Sequence, residues 1–238
     1  ETIEKASNEI DPKCTYFNSC GGCTYQNLSY EDQVDLKTSQ VHKLLKNNIK
    51  SEYILEKTIE SPNQFEYRNK MEFTFGNSEK DGPLTLGLHK KGSFYDIINV
   101  SNCQLMDDDF RKILDLSVNY FANKNLPFYH KMTHEGYLRN LVIRKGDKTK
   151  ELLVNLITST QLMFDMTEWL EMILGLNLTS KIIGVLHTLN DNVADTVNSE
   201  KEIILFGSRD IHEEIFDLDF RISPYSFFQT NSLGVEKL

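Results

Sequence analysis

Three cysteines fall within ten residues, in Cys14-Thr-Tyr-Phe-Asn-Ser-Cys20-Gly21-Gly22-Cys23, and this stretch constrains the fold more than any other. Five residues separate Cys14 from Cys20 and two separate Cys20 from Cys23, so three soft ligands can converge on one point without help from another element. Gly21 and Gly22 are expected to let the backbone turn tightly and to bring amide N–H groups towards bound sulfur, which suits a negatively charged centre. Cys103 is the only other cysteine. With it the set becomes all-cysteine with one remote ligand, a pattern compatible with a 4Fe-4S cluster and less so with zinc, whose usual sites pair two short C-x2-4-C knuckles. Two disulfides are the remaining possibility, but the chain shows no apolar signal segment, and 238 residues bury a core without covalent staples.

A chain that is 39% hydrophobic and 26% charged has an ordinary soluble composition, for one large or two small domains, and no run approaches membrane-spanning length. The net charge of -9 argues against a generic nucleic-acid binder, yet the charge is uneven. Residues 37–50 hold four lysines and no acid, 130–150 hold six Lys/Arg against two acids, and 191–220 carry nine acids and two bases. A local basic face on an acidic protein is allowed, as are plain solvated surfaces.

Along the chain, residues 1–13 lack periodicity and are expected to fray; Glu1 stands where an initiator methionine would, as in a piece cut from a longer chain. Ser29 can cap a helix over about 30–48 with Asp32 in its first turn and Val34, Val41, Leu44, Leu45 and Ile49 on one face. Glu52 to Ile59 reads as a strand. From Tyr67 to Ile98 the period changes to two, predicting an antiparallel three-stranded meander that turns at Asp81-Gly82 and Lys91-Gly92. Cys103 follows in a loop ahead of a helix beginning near Asp107, with Phe110, Ile113, Leu114, Val118 and Phe121 facing the core. Leu138–Lys145 and Leu152–Ile157 form a hairpin about Gly146-Asp147, residues 164–175 a helix, 181–189 a strand, and shorter strands lie near 202–206 and 211–222. The pattern is α+β, antiparallel sheets with packed helices, with no glycine-rich nucleotide loop. His130 and His134 have a metal-like spacing but fall in a loop near Gly136.

Five motifs in order carry a resemblance: Cys-x5-Cys-Gly-Gly-Cys with Tyr25-Gln26; Tyr67-Arg68-Asn69-Lys70; Leu86-Gly87-Leu88-His89 running on to Cys103; Leu138-Arg139-Asn140-Leu141; and Ile222-Ser223-Pro224 with Phe228-Gln229 and Asn231. Together they resemble the RNA (uracil-5-)methyltransferases, most closely the iron-sulfur branch that makes 5-methyluridine in large-subunit ribosomal RNA. The resemblance implies a 4Fe-4S loop over residues 1–28, a helix and strand over 29–62 that pack on the methyltransferase domain, and a central α+β RNA-recognition domain over 63–222. Residues 223–238 would open a Rossmann-type domain for S-adenosylmethionine. The family's N-terminal RNA-binding barrel, methyl-donor glycine motif, nucleophilic cysteine and general base have no counterpart here.

In that family a cysteine thiolate adds to C6 of uracil, so that C5 attacks the sulfonium methyl, and a base then removes the C5 proton. The target base must leave any stack. The expectation is therefore a cytoplasmic, monomeric portion of an rRNA methyltransferase that recognises single-stranded or loop uridine, makes no membrane contact and is inactive by itself. Cys14, Cys20, Cys23 and Cys103 would hold the cluster, and Gln229 would touch the methyl donor. Arg68, Lys70, His89, Lys90, Lys91, Arg139 and Arg144 are the candidate RNA contacts, with Tyr16, Phe17 and Phe94 as stacking aromatics. The competing class is a stand-alone iron-sulfur or zinc-stabilised binding or electron-transfer module, which gives no reason for the Phe-Phe-Gln-Thr-Asn ending.

Overall fold

A computed structural model describes residues 4–193 and 201–238. Helix α1 spans Tyr30–Asn48, and the Ser29 hydroxyl accepts the Asp32 N–H at 3.1 Å, as the capping pattern predicts. Its apolar face is only partly used. Val34 is buried, whereas Val41 and Leu44 are 49% and 65% exposed. Residues 52–59 make no ladder, so the expected strand is absent: the segment runs beside α1, through Thr58 on Thr38 and Tyr53 on His42, and a helix side offers no free backbone groups to pair with. Residues 1–3, part of the segment expected to fray, lie outside the described residues; Glu9 bridges Leu28, and the Ile10 N–H reaches the Asn27 carbonyl at 2.8 Å, so residues 9 and 10 are tied down.

The meander follows as β1 (Lys70–Gly76), β2 (Thr85–His89) and β3 (Ile97–Asn99). Gly87 of the Leu-Gly-Leu-His motif has a steric reason, since a Cβ there would overlap the Ile98 carbonyl of the neighbouring strand. Asp107 caps helix α2 (Asp108–Asn123), whose Phe110, Ile113, Leu114, Val118 and Phe121 are all buried. Then come β4 (Leu138–Lys145), β5 (Glu151–Thr158), α3 (Thr167–Leu174), β6 (Lys181–Leu189), β7 (Lys201–Gly207), the hairpin β8 (Ile211–Ile215) and β9 (Leu218–Ile222), and a single helical turn, α4 (Ser232–Val235).

One seven-stranded sheet, in the order β3-β2-β1-β4-β5-β6-β7, replaces the separate antiparallel sheets that were expected. It is mixed. β5 and β6 run parallel, because α3 returns the chain to the same end of the sheet before β6 begins. Alternate residues of the central strands (Phe73, Phe75, Leu141, Ile143, Val154, Leu156) bury one face against α2 and α3, where Phe121 and Trp169 lie 5.7 Å apart. The other face is covered by a smaller cluster of Leu153, Leu186, Ile211 and Ile222, with Phe228 packed against it. This places the β8–β9 hairpin and residues 223–232 across the back of the sheet.

His187 on β6 is 7% exposed and its Nε2 bonds to the Thr158 hydroxyl at 2.8 Å, and that hydroxyl also lies 3.0 Å from the Ser159 carbonyl. Burial pushes its pKa down to about 4. An unfolded chain protonates the same ring near pH 6.5. The neutral ring's contribution is therefore present above that pH and is lost as the pH falls towards 4, at a cost of up to about 3 kcal/mol. Urea titrations between pH 7 and 4 should show a smaller acid loss in His187→Gln; an identical loss in the two proteins would remove His187 as its source.

Candidate metal centre and nucleic-acid interface

The cysteine loop is shaped by its own backbone. The Cys20 N–H and Ser19 N–H both reach the Tyr16 carbonyl, at 2.8 and 3.0 Å, and Asn18 takes a φ of 70° to close the turn. Gln26 clamps the two ends: its side-chain oxygen accepts the Cys14 N–H at 3.2 Å and its Nε2 donates to the Cys23 sulfur at 3.3 Å. Of the two glycines, Gly22 does turn its N–H to sulfur, donating to Cys20 Sγ at 3.3 Å. Gly21 instead donates to the His89 carbonyl at 3.0 Å. The two residues do form a turn, but neither has a left-handed backbone that demands glycine; a Cβ on Gly21 would sit 3.3 Å from the His89 carbonyl of β2, whereas one on Gly22 would make only ordinary contacts.

All four cysteines are unpaired thiols, so the disulfide alternative is not formed, and all four line one cavity of about 440 Å3. Arg111 holds the Cys103 loop by donating to the Cys103 carbonyl at 3.1 Å and to the Met106 carbonyl at 2.6 Å. Burial pushes the Cys20, Cys23 and Cys103 thiols up, and the neighbouring thiols add to the effect on each. Among the described residues no three His, Cys, Asp or Glu side chains form a ready set for one metal ion. His130 and His134 do no better: the Tyr129 hydroxyl lies 3.3 Å from the His134 ring nitrogen, and the Met132 N–H bonds the His130 ring at 3.3 Å.

The candidate RNA contacts fall into three settings. Lys90 and Lys91 are exposed on the turn after β2, which also carries the backbone of His89. Arg68 lies at the cavity wall with its Nε on the Lys70 carbonyl at 3.0 Å, while Lys70 pairs with Glu72. Arg139 and Arg144 do not fit a surface role. Arg139 is 6% exposed, stacks over Tyr129 and donates to the Asn190 carbonyl at 2.8 Å; Arg144 is 3% exposed and donates to the carbonyls of Pro224 and Ser226. Basic residues in a strand pattern read as surface, but these two satisfy buried carbonyls of long-range turns.

Two of the sequence motifs meet in space. Asn69 donates through Nδ2 to the Gln229 carbonyl at 3.0 Å and to the Ser232 hydroxyl at 2.8 Å, and its own N–H reaches the Thr230 carbonyl at 3.0 Å. The Ser232 hydroxyl donates to Glu213, which is fully buried and also accepts the N–H groups of Asp147 and Lys148. Gln229 is thus positioned by its backbone while its side chain is exposed. Burial, followed by the nearby Glu213 carboxylate, pushes Asp147 up to about 6. An acid raised in this way favours the folded state only while protonated, so its contribution fades as pH rises from about 4 to 6. Asp147→Asn should therefore stabilise the protein at pH 8 by about 1 kcal/mol after allowance for partial exposure. A melting point that is unchanged or lower at pH 8 would contradict this.

No family model matches the chain. It is 47% identical over all 238 residues to an uncharacterised RNA methyltransferase of Caldanaerobacter subterraneus, covering 53% of that protein. It is 46% identical over the same length to one of Clostridium acetobutylicum, covering 52%. Among solved structures, the S-adenosyl-L-homocysteine complex of Pyrococcus abyssi tRNA (uracil-54, C5)-methyltransferase superposes with a TM-score of 0.73 at 22% identity, over 98% of this chain and 50% of that one. At that identity the match speaks to the fold alone. The chain therefore spans about half the length of the curated relatives it matches, is similar along its whole length to that half of proteins named RNA methyltransferases, and shares the corresponding fold.

Proposed function

We propose that this chain is the iron-sulfur and RNA-recognition portion of an S-adenosylmethionine-dependent methyltransferase that forms 5-methyluridine in ribosomal RNA. The observation that carries the reading is the gathering of all four cysteines around one cavity, in a chain similar along its length to RNA methyltransferases. The Gly22 and Gln26 N–H donors already aim at sulfur, as donors around a negatively charged centre would. Cys14, Cys20, Cys23 and Cys103 would hold a 4Fe-4S cluster, which when bound would cross-link residues 14–23 to the end of the meander. Choosing ribosomal RNA rests on the sequence resemblance to the iron-sulfur branch.

S-adenosylmethionine would supply the methyl group, and of the described side chains Gln229 is the one offered to it. The exposed apolar residues Val41, Leu44, Ile54 and Ile59 of α1 and the extended segment after it would pack on the methyltransferase half. Four cysteines committed to a cluster leave no thiol for attack on C6. A stand-alone electron-transfer module would leave the similarity to RNA methyltransferases without a reason.

RNA binding tests the recognition part. A single-stranded uridine-containing oligomer should bind weakly and lose affinity with salt, because local lysines act against a net charge of -9. Lys90→Gln with Lys91→Gln should weaken it about tenfold and reduce the salt slope by about two. Affinity that ignores both salt and this pair would remove the proposed face.

A further inference from the structure

The three aromatics that sequence alone offers for base stacking are not equivalent. Tyr16 is packed against the core and bonds to Ser101, and Phe17 lines the thiol cavity. Phe94 is 83% exposed and its neighbour Tyr95 is 57% exposed, on a turn that is nevertheless well held. The Lys90 N–H reaches the Asp96 carbonyl at 2.9 Å, the Asp96 N–H reaches the Ser93 hydroxyl at 3.1 Å, and Gly92 supplies the left-handed φ of 78° that the turn needs. The cysteine loop braces it from behind, through Gly21 N–H to the His89 carbonyl and Lys91 N–H to the Ser19 carbonyl at 2.8 Å.

A second segment, distant in sequence, forms the opposite wall. The Tyr95 hydroxyl donates to Met132 Sδ at 3.2 Å, and Lys131 stands beside it, making an open cleft of about 700 Å3. The wall is fixed by the His130 N–H to the Glu135 carbonyl at 2.7 Å and by the Met132 contact to the His130 ring. Lys90, Lys91 and Lys131 surround apolar and aromatic surface, and Asp96, 3.9 Å from Lys90, offsets part of that charge. Exposed rings on a hydrogen-bonded turn among cations match the two parts of an unpaired nucleotide, a flat base and a phosphate.

The geometry points to this cleft as the place where one unstacked base of single-stranded RNA lies against Phe94 and Tyr95, with the lysines on the adjoining phosphates. The assignment rests on the RNA reading above and adds to it Tyr95, Lys131 and Met132, and the requirement that the base be unpaired. Paired bases hide their faces, so a duplex engages the lysines only.

The test compares a single-stranded oligouridine with a duplex of equal length, using Phe94→Ala/Tyr95→Ala, Tyr95→Phe and Lys91→Gln. The double alanine variant should bind the single strand about tenfold more weakly with an unchanged salt slope, because stacking releases no counterions. Tyr95→Phe should retain affinity, and Lys91→Gln should lower the slope by about one. Wild-type affinity in the alanine variant, with salt dependence intact, would overturn the cleft and leave the RNA reading standing. Absence of RNA binding by the unaltered chain would overturn both. Self-association that the alanine pair abolishes would assign the face to a second copy of the chain and overturn it as well.

Discussion

Anaerobically purified protein carrying Cys103→Ser is expected to fall from about four iron atoms per chain to below about one, with loss of the brown colour. Cys14, Cys20 and Cys23 belong to one loop and hold one another's geometry through Gln26 and the Tyr16 carbonyl. Cys103 comes from the connection between β3 and α2, so under the proposal it would be the ligand that ties the cluster to the sheet. A serine hydroxyl is a hard ligand that ionises far less readily than a thiol, and three thiolates alone would leave one iron without its protein ligand. The side chain is buried and its loop is held by Arg111 independently of the sulfur, so the variant should fold. Iron content measured together with zinc decides the point. Zinc in place of iron in the unaltered protein, or full iron in Cys103→Ser, would remove the four-cysteine cluster.

Asn69→Ala should cost about 3 kcal/mol and lower the melting temperature by about 6 to 12 °C. The amide is 5% exposed and donates to two partners in one turn about 160 residues further along the chain. Alanine leaves the Gln229 carbonyl and the Ser232 hydroxyl short of a donor, and Ser232 in turn orients on the buried Glu213 carboxylate. The damage extends to the turn 229–232 as a unit. A double-mutant cycle with Ser232→Ala should recover about 1 kcal/mol of coupling. A loss below about 1 kcal/mol in Asn69→Ala would show that water substitutes for the amide and that the turn is held elsewhere.

Much of the secondary structure was legible because it is periodic. The Ser29 cap and the helix after it, the three-strand meander and the core face of α2 each repeat at the period of the element they form. The β5–β6 direction was not legible, since a strand buried on both faces, such as Leu152–Thr158, shows an apolar run that is the same read either way. Residues 52–59 illustrate the converse. Their apolar residues suggest a strand, but a strand needs a partner, and the partner is not encoded locally. Arg139 and Arg144 were misread for a related reason: their acceptors are carbonyls 51 and 80 residues away, invisible to any local pattern. Cysteine number and spacing suggested that the four thiols gather, and they line one cavity; Gln26 stood in the cysteine motif without its clamping role being readable, and Arg111 carried no signal. Membrane spans were not expected, and among the described residues no helix is long and apolar enough to cross a membrane.

The central claim, that these residues serve methylation of uridine at C5, is tested most directly by methyl transfer. Labelled S-adenosylmethionine and ribosomal RNA would be incubated with the 238-residue chain and, in parallel, with a longer protein that adds the half present in its relatives. The longer protein should place label on C5 of uridine, and the chain by itself should place none. Label at C5 from the 238-residue chain, or label from the longer protein at any other position, would contradict the account.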